Sequence, residues 1–504
     1  MSGEPVPIAT LLEALADKRV LGPLPATVSG VAYDSRAVRP GDLFVAVPGL
    51  RQDGRRYVED ALARGAAAVV LEGPDLLEGQ AAPRVLVPSS REALARLADA
   101  YFGHPSGELT VVGITGTNGK TTTSYLVDAL LSTRGQRTGL IGTVQYRIGA
   151  EAISAGQTTP EAVELQSLLR RMVNAGVTAV AMEVSSHGLA LSRVDGIDFD
   201  IAVFTNLTQD HLDFHGTMDA YREAKRRLFT LLAGGLKPGR TAVVNADDPS
   251  GVSMVAGLPL PTLTFGIRGR ADVRPTRWSP GAEGIRMSVR TPAGHVDIAS
   301  PLVGEHNVMN LLAAAGVGVA LGIAPETIGR ALGSVGSVPG RFERVEAGQP
   351  FLVVVDYAHT PDALERTLET ARKLVGRGGR LAVVFGCGGD RDRGKRPLMG
   401  SIASRLCDRV WVTSDNPRSE RPEAIIADIV AGIPAKSPGD PALDRHETLQ
   451  DRKIAIQSAL AWARAGDIVV IAGKGHETYQ VVGSEVLPFD DRAEARAALA
   501  GRAT

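Results

Sequence analysis

An acid, an amide and a guanidinium side chain stand together near the C-terminal end of the chain, in Asp415-Asn416-Pro417-Arg418. A planar guanidinium can bind a carboxylate through two parallel hydrogen bonds, and an acid and an amide beside it can hold an ammonium group. The stretch could therefore bind a diamino acid that carries a carboxylate at its far end, with Pro417 stiffening the turn. Asp, Asn and Pro are also common turn residues, so the stretch alone predicts only a β-turn with a salt bridge.

A second candidate site is a glycine-rich turn between an apolar strand and a helix, in "VVGITGTNGKTTTSYLVDALL" at 111–131. Backbone N–H groups and a helix N-terminus can converge on a phosphate in this context. Lys120 would reach the terminal phosphates, and Thr121 would place its hydroxyl on magnesium. The strict motif has a glycine where this chain has Ile114, and a simple Gly/Thr turn capping a helix is the alternative. The combination favours binding of ATP or GTP.

Acidic and imidazole side chains follow two later apolar strands. Glu183 ends the strand in "AVAMEVSSHGL", and Asp210, His211, Asp213 and His215 crowd the segment after "FDIAVFTNL". Magnesium prefers oxygen ligands, so a carboxylate at such a strand end could hold the cation beside the phosphates. An isolated glutamate at a strand end is more often a solvated acid, but crowding of this kind is rare in a surface loop.

Two asparagines open the helical segment "GEHNVMNLLAAAGVGVAL". Asn307 and Asn310 are three positions apart, so their side chains share one face of the first turn. Asn307 could equally be a helix cap.

Composition excludes several classes of protein. The chain has 504 residues, 44% apolar and 22% charged, with a net charge of −1. Near-neutral charge argues against a nucleic-acid-binding protein. Only Cys387 and Cys407 occur, without metal spacing, so a disulfide framework or a zinc site is not expected and the cytoplasm is favoured. The N-terminus lacks signal-peptide features, and the apolar stretch Leu311 to Ala324 is shorter than the ~20 residues that cross a bilayer. We expect no membrane insertion.

The chain divides at two turn-rich breaks, near 103–107 and 333–340. The predicted domains are residues 1–105, a small α/β domain; 106–338, a central P-loop domain with a parallel sheet; and 339–504, a C-terminal Rossmann-like α/β domain. Buried strands of the last domain end in polar or glycine-rich loops, where open α/β sheets bind ligands.

These motifs together resemble the Mur ligase superfamily of ATP-dependent peptide synthetases. The resemblance runs from Asp34 to about Asp491 and includes "GTNGKT", the Asp415–Arg418 tetrad, Arg391 in "GGDRDRGKRP" and "AGKGHE" at 472–477. It implies an ADP-forming acid–amino-acid ligase of peptidoglycan precursor synthesis. Such an enzyme activates a carboxylate as an acyl phosphate, which an amine then attacks. The branch that adds the third residue of the stem peptide is the best match, with UDP-N-acetylmuramoyl-dipeptide and meso-2,6-diaminopimelate as substrates.

The resemblance also implies roles for individual residues. Lys120, Glu183, His211 and Lys225 are catalytic, and Lys225 is modified by carbon dioxide to a carbamate (N6-carboxylysine). Mg²⁺ is held by Thr121, Glu183, His211 and the carbamate of Lys225. ATP is bound by Gly116, Thr117, Asn118, Gly119, Lys120, Thr121, Thr122, Asn307, Asn310, Arg341 and Asp356. The UDP substrate is bound by Ser35, Thr158, Thr159, Ser185 and Arg193. Diaminopimelate is bound by Arg391, Asp415, Asn416, Pro417, Arg418, Gly473 and Glu477.

Three alternatives stay open at this point. A lysine-adding relative would share most motifs but lack Arg418. A folate polyglutamate synthetase shares the ATP-binding motifs but not the N-terminal region or the tetrad. A nucleotide-switched binding protein without ligase activity would need phosphate contacts but no amine pocket. The branch often has glutamine where this chain has Leu191, so one polar substrate contact is expected to be missing or replaced. A monomer is expected, with small molecules as partners.

Overall fold

The computed structural model describes residues 4–49, 52–73, 77, 82–281, 283–434 and 446–501. The chain forms two compact units. The first comprises Met1–Arg277, Ser288–Asp297 and Met309–Leu332, and the second comprises Trp278–Met287, Ile298–Val308 and Gly333–Thr504. Both units contain largely parallel sheets with helices between the strands, which confirms the α/β class. The division into three domains stays a prediction.

The N-terminal region of the first unit carries a five-stranded sheet in the order β2-β7-β6-β5-β4. Its elements are β1 (Val6–Pro7), α1 (Ile8–Glu13), β2 (Arg19–Leu21), β3 (Thr27–Val28), β4 (Val31–Ala32), β5 (Leu43–Val45), α2 (Val58–Ala63), β6 (Ala68–Glu72), β7 (Arg84–Val87) and α3 (Ser90–Tyr101). Strands β4 to β7 pair in parallel, and β2 is antiparallel at the edge.

The central region carries an eight-stranded sheet in the order β11-β10-β9-β12-β8-β13-β14-β15. Its elements are β8 (Thr110–Thr115), α4 (Lys120–Ser132), β9 (Thr138–Ile141), β10 (Gln145–Ile148), β11 (Glu151–Ser154), α5 (Ala162–Asn174), β12 (Ala179–Glu183), α6 (Ser186–Ala190), β13 (Ile201–Phe204), α7 (Leu212–His215), α8 (Met218–Gly234), β14 (Thr241–Asn245) and β15 (Thr262–Phe265).

Register brings the ends of three strands of this sheet together. Strands β12 and β13 flank β8 in parallel, with Glu183 beside Ile114 and Phe204 beside Thr115. The glycine-rich turn after β8, the acid at the end of β12 and the segment after β13 therefore lie at one edge of the sheet, where ligands bind in open α/β folds.

Three further strands and two helices follow: β16 (Arg274–Gly281), β17 (Gly284–Thr291), β18 (Gly294–Ser300), α9 (Glu305–Ala320) and α10 (Pro325–Ser334). The three strands form a sheet of their own. No helix in the described ranges is both long enough and apolar enough to cross a membrane.

The second unit has a six-stranded sheet in the order β19-β20-β24-β21-β22-β23. Its elements are β19 (Glu343–Arg344), β20 (Leu352–Asp356), α11 (Pro361–Leu374), β21 (Leu381–Phe385), α12 (Lys395–Leu406), β22 (Arg409–Val412), α13 (Pro422–Val430), β23 (His446–Thr448), α14 (Arg452–Trp462), β24 (Ile468–Ala472), β25 (Tyr479–Val482), β26 (Glu485–Pro488) and α15 (Asp491–Ala500). Within the six-stranded sheet, all strand pairs except β19-β20 are parallel. Strands β25 and β26 form a separate antiparallel pair.

Both faces of this second sheet are buried. Along β21, Val383 and Phe385 pack into one apolar cluster, whereas Ala382 and Val384 pack into another. Side chains alternate across a strand, so an unbroken apolar run fits a sheet covered on both sides. Loops after β21, β22 and β24 carry the polar residues that the sequence singled out.

Candidate active site

The glycine-rich turn of the first unit has the backbone that a phosphate loop requires. Gly119 precedes the first residue of α4 with φ +85°, and Gly116 has φ +149°, a region that favours glycine. A Cβ on Gly116 would lie 1.8 Å from Thr205 Oγ1, and one on Gly119 would lie 2.3 Å from Asn310 Oδ1. Only glycine fits at these two positions, so the loop can approach a ligand closely.

The segment after β13 holds this loop in place. Asn206 accepts a hydrogen bond from Asn118 N through its Oδ1 (3.0 Å), and its backbone oxygen accepts one from Thr117 N (2.8 Å). Thr205 Oγ1 donates to Asn118 O at 2.7 Å. Lys120 Nζ folds back and donates to Gly116 O (3.0 Å) and Thr117 O (2.9 Å). These hydrogen bonds hold the backbone of the loop in place.

Glu183 lies beside this loop in a network of threonine hydroxyls. Its carboxylate is buried and accepts hydrogen bonds from Thr121 Oγ1 (3.0 Å), Thr143 N (2.9 Å) and Thr143 Oγ1 (3.0 Å). Thr143 Oγ1 also lies 3.0 Å from Thr158 Oγ1. Sequence reasoning missed Thr143, because it follows β9 in a segment without a motif. Thr122, in the first turn of α4, is buried.

The predicted contacts to the UDP substrate partly form one chain of hydrogen bonds. Thr159 Oγ1 donates to Glu183 O and accepts from Ser185 N, both at 3.0 Å. Arg193 pairs with Glu161 at 2.6 Å and donates to Thr159 O at 3.0 Å. Thr158 joins through Thr143. Ser35 is buried in a short 3-10 helix, Ser35–Ala37, of the N-terminal region.

Lys225 on α8 is buried against the same loop. It is 1% exposed, and its Nζ donates to Gly116 O at 2.8 Å and lies 4.3 Å from the centre of the Tyr221 ring. Burial and then the nearby Lys120 ammonium hold the pKa of Lys225 well below its usual value, against the opposing Asp210 carboxylate. A lowered pKa increases the fraction of neutral amine, which is the form that can act as a nucleophile.

His211 directly precedes α7, has φ +53° and lies beside other aromatic rings. Its ring centre lies 4.8 Å from that of His187 and 6.2 Å from that of Tyr221. Burial is the main cause that lowers the pKa of His211, and it lowers that of His187 to about 4. A neutral imidazole can act as a metal ligand.

The donor set near the loop partly fits magnesium. Thr121 and Glu183 supply hard oxygen atoms in contact with each other, as this cation prefers. Across the described part of the chain, no three His, Cys, Asp or Glu side chains gather as a metal-binding group. The grouping of His211 with Glu183 as metal ligands therefore stays a prediction.

The two asparagines of α9 have different surroundings. In the first unit, Asn310 Oδ1 accepts from Thr123 Oγ1 at 3.4 Å and lies against Gly119, so it contacts the phosphate loop. In the second unit, Asn307 Nδ2 donates to Val303 O at 2.7 Å. Both side chains are buried.

Asp356 and Arg341 lie close together in the second unit. Asp356 ends β20, and its carboxylate accepts from Phe342 N (2.7 Å), Ala358 N (2.9 Å) and Thr367 Oγ1 (3.0 Å). The Arg341 guanidinium stacks over the Tyr357 ring, with 4.7 Å between its Cζ and the ring centre. Burial raises the pKa of Tyr357 to about 12, so its hydroxyl keeps its proton.

The Asp415–Arg418 tetrad packs against the glycine-rich loop after β24. Asn416 Nδ2 donates to Glu477 Oε2 at 2.9 Å, and Asn416 Oδ1 accepts from Lys474 Nζ at 3.0 Å. A Cβ on Gly473, which has φ +116°, would lie 2.5 Å from Asp415 Oδ2. Asp415 and Asn416 are buried. The structure thus joins two motifs that are more than 50 positions apart in the sequence.

Arg418 is held in a defined position at the end of the tetrad. It has φ +52°, its N donates to Val481 O (3.1 Å) and its O accepts from Gly483 N (2.7 Å), so the β25-β26 hairpin fixes its backbone. Its Nη1 donates to Gly389 O at 2.7 Å. A Cβ on Gly388 would lie 2.9 Å from Arg418 Nη1 and 3.7 Å from Arg391 Cγ. Arg391 is exposed, and Pro417 is buried. The Arg418 guanidinium and the aliphatic part of Arg391 therefore both lie close to Gly388.

Three family models match the chain. One described as "Mur ligase family, catalytic domain" matches residues 27–102, one described as "Mur ligase middle domain" matches 114–318, and one described as "Mur ligase, glutamate ligase domain" matches 340–475. Together the three matched ranges lie between residues 27 and 475.

Relatives match over nearly the whole length. A protein of Geobacillus kaustophilus (strain HTA426) named UDP-N-acetylmuramoyl-L-alanyl-D-glutamate--2,6-diaminopimelate ligase is 48% identical over 477 residues, which cover 94% of this chain and 95% of the relative. A protein of Solibacter usitatus (strain Ellin6076) with the same name is also 48% identical, over 94% of each chain. A solved structure of a ligase with that name has a TM-score of 0.69 and 37% identity, and covers 95% of this chain and 96% of its own.

Proposed function

The chain belongs to the Mur ligase family, and from this premise we propose that it joins meso-2,6-diaminopimelate to UDP-N-acetylmuramoyl-L-alanyl-D-glutamate. It is an ATP-dependent, ADP-forming acid–amino-acid ligase. The reaction forms an acyl phosphate on the glutamate carboxyl group, which the amine then attacks through a tetrahedral intermediate. The product is a precursor of peptidoglycan.

One observation carries the choice of amino acid: the contact between the Asp415–Arg418 tetrad and the Lys474–Glu477 loop. In this contact the Asp415 and Glu477 carboxylates lie near the buried ammonium of Lys474. The Asn416 amide bonds both Lys474 and Glu477. Arg418 Nη1 and Arg391 Cγ both lie near Gly388. Diaminopimelate has an ammonium and a carboxylate at its far end, and these groups need a paired acid and guanidinium. Lysine has no carboxylate there for Arg418 to bind.

The phosphate loop of the first unit supplies the ATP-binding end of the reaction. Gly116, Gly119 and the start of α4 can place N–H groups around the terminal phosphates, and Lys120 can move from its loop carbonyls to the γ-phosphate. Magnesium, when bound by Thr121 and Glu183, would offset the negative charge on the transferred phosphoryl group. We also propose nucleotide contacts for Asn307, Asn310, Arg341 and Asp356.

Carbamylation of Lys225 is part of the proposal. An ammonium at this buried position would face Lys120 and would repel a metal ion beside the phosphates. Attack of the neutral amine on carbon dioxide would form an N–C bond and release one proton, which converts the side chain into a carbamate anion with two oxygen atoms. The 1% exposure of Lys225 and its contact with the phosphate loop support this assignment.

Substrate-dependent phosphate release tests the proposed reaction. The purified protein, supplied with ATP and magnesium, should release phosphate in equal amounts to product only when both the UDP-dipeptide and diaminopimelate are present. The same amount of phosphate released without either substrate, or with the UDP-dipeptide alone, would indicate a nucleotide switch rather than a ligase. Faster turnover with lysine than with diaminopimelate would exclude the proposed amine.

Substitution of Arg418 tests the basis of selectivity. Arg418→Ala should raise KM for diaminopimelate roughly 10- to 100-fold, the value of one or two charge-assisted hydrogen bonds. Both residues carry a Cβ, so the strain at φ +52° is similar in the two proteins. Arg421→Ala is the matched control, because its side chain is 86% exposed and lies three positions along the chain. Equal KM values for Arg418→Ala and Arg421→Ala would refute the assignment.

Further assignments rest on the same premise. We propose a UDP-substrate domain at residues 1–105, an ATP-binding domain at 106–338 and an amino-acid-binding domain at 339–504. We also propose that the enzyme is a monomer in the cytoplasm, where ATP is available, and that it binds no nucleic acid. Sedimentation of the purified protein checks the oligomeric state.

A further inference from the structure

Lys474 is a fully buried lysine in the proposed amino-acid site, and the sequence motifs indicate no role for it. Its side chain is 0% exposed, in the loop that follows β24. Nζ lies 3.0 Å from Asn416 Oδ1, 3.3 Å from Glu477 Oε2 and 3.9 Å from Asp415 Oδ1. One ammonium therefore contacts all three side chains proposed to hold the ammonium of the substrate.

The Lys474 ammonium offsets the negative charges of Asp415 and Glu477. Two carboxylates so near each other repel, and burial raises the pKa of Glu477, an effect that the Lys474 charge opposes. With Lys474 present, two carboxylates face one ammonium, which leaves a single negative charge for one incoming ammonium group. Without Lys474, the two carboxylates would repel with no cation between them, and Asn416 Oδ1 would lose one of its two donors.

The contacts also fix geometry. The Asn416 amide bonds Lys474 through Oδ1 and Glu477 through Nδ2, while Val481 N donates to the same Oδ1 at 3.0 Å. Since Asn416 accepts from Lys474, its amide group can present only the nitrogen to Glu477. Lys474 thereby helps Val481 N to orient the amide, and it holds the Glu477 carboxylate both directly and through Asn416.

We propose that Lys474 is a positioning residue for the amine substrate, whose ammonium group locks Asp415, Asn416 and Glu477 into the arrangement that receives a substrate ammonium. It acts through these three side chains and takes no part in phosphoryl transfer. The assignment rests on the proposed function, since it concerns the same amino-acid site.

Steady-state kinetics of Lys474→Met tests this role. KM for diaminopimelate should rise roughly 10- to 100-fold, the range for lost hydrogen bonds to charged groups. KM for ATP and for the UDP-dipeptide should change by less than about threefold. The value of kcat at saturating amine should also change by less than about threefold, because the variant weakens binding of the amine equally in the ground state and the transition state. The control is Lys453→Met in the same unit, whose side chain is 53% exposed and pairs with Glu494.

An equal rise in all three KM values, or a fall in kcat alone, would overturn the proposal, and so would an unchanged KM for diaminopimelate. If thermal unfolding shows that Lys474→Met does not fold, Lys474→Gln carries the same test. Its amide can still donate to Asn416 but has no charge, and the same rise in KM for diaminopimelate is expected. Failure of the wild-type protein to use diaminopimelate would instead refute the proposed function, so the two failures are distinguishable.

Discussion

The buried ion pair between Arg452 and Asp491 should govern the stability of the second unit. Both side chains are 0% exposed, with Arg452 Nη2 2.7 Å from Asp491 Oδ2 and Nε 2.7 Å from Oδ1. The guanidinium also donates to Ala472 O at 2.9 Å and to Ser414 O at 3.4 Å. These two carbonyls directly precede Gly473 and Asp415, so Arg452 ties together the two loops of the proposed amino-acid site.

Replacing Arg452 with Met should lower the free energy of unfolding by about 3–5 kcal/mol, because it leaves a buried carboxylate without its partner. The double variant Arg452→Met/Asp491→Leu removes both charges, and only the two carbonyls then lack their former donor. We therefore expect the double variant to regain part of the loss, with a remaining deficit of about 1–3 kcal/mol. The single variant is thus less stable than the double variant.

Chemical denaturation followed by tryptophan fluorescence measures this loss in the second unit. The three tryptophans of the chain, Trp278, Trp411 and Trp462, all belong to that unit. The fluorescence transition therefore reports on the unit that contains the ion pair, even if the two units unfold separately.

An exposed ion pair in the same unit provides the control. Arg366 lies 3.0 Å from Asp362 on α11, with side chains 45% and 40% exposed. Surface pairs contribute about 0–1 kcal/mol, so Arg366→Met should shift the transition only slightly. A loss in Arg452→Met no larger than in Arg366→Met would refute the reasoning, as would a double variant less stable than the single one.

Two predictions concern the phosphate loop. Gly119→Ala should lower ATP turnover at least about tenfold, because its Cβ would lie 2.3 Å from Asn310 Oδ1; Gly135→Ala, also at positive φ but with no atom within 4 Å, should cost only about 1 kcal/mol of stability and leave turnover intact. Similar turnover in the two variants would contradict the crowding argument. Lys225→Ala should lower turnover by orders of magnitude, and added bicarbonate should fail to restore it; near-normal activity would remove Lys225 from the site.

Residues close in sequence were the most predictable part of the site. The strand, turn and helix around Gly116 to Thr122 were predicted from the pattern of apolar residues and glycines, and the structure has β8, the turn and α4 there. Local chemistry determines such a unit, because the turn must end a strand and begin a helix within a few residues. The α/β class and the ligase family followed from the same motifs and are confirmed.

Contacts that depend on strand order could not be predicted from local patterns. Thr143 reaches Glu183 only because β9 pairs with β12. Lys474 reaches Asn416 only because a single strand, β21, separates β24 from β22 in the sheet. Thr143 has no distinctive neighbourhood in the sequence. In the sequence, Lys474 is one residue of a glycine-rich motif, and only its burial between two acids indicates a role.

Lys225 and Lys474 are both fully buried, but the groups around them differ and suit different chemical roles. Both side chains are withdrawn from water. Around Lys225, burial and the nearby cation Lys120 hold the pKa of the amine well below its usual value, against the Asp210 carboxylate. Around Lys474, two carboxylates and an amide oxygen balance the charge. The first environment therefore suits covalent modification, and the second suits a fixed charge that orients its neighbours.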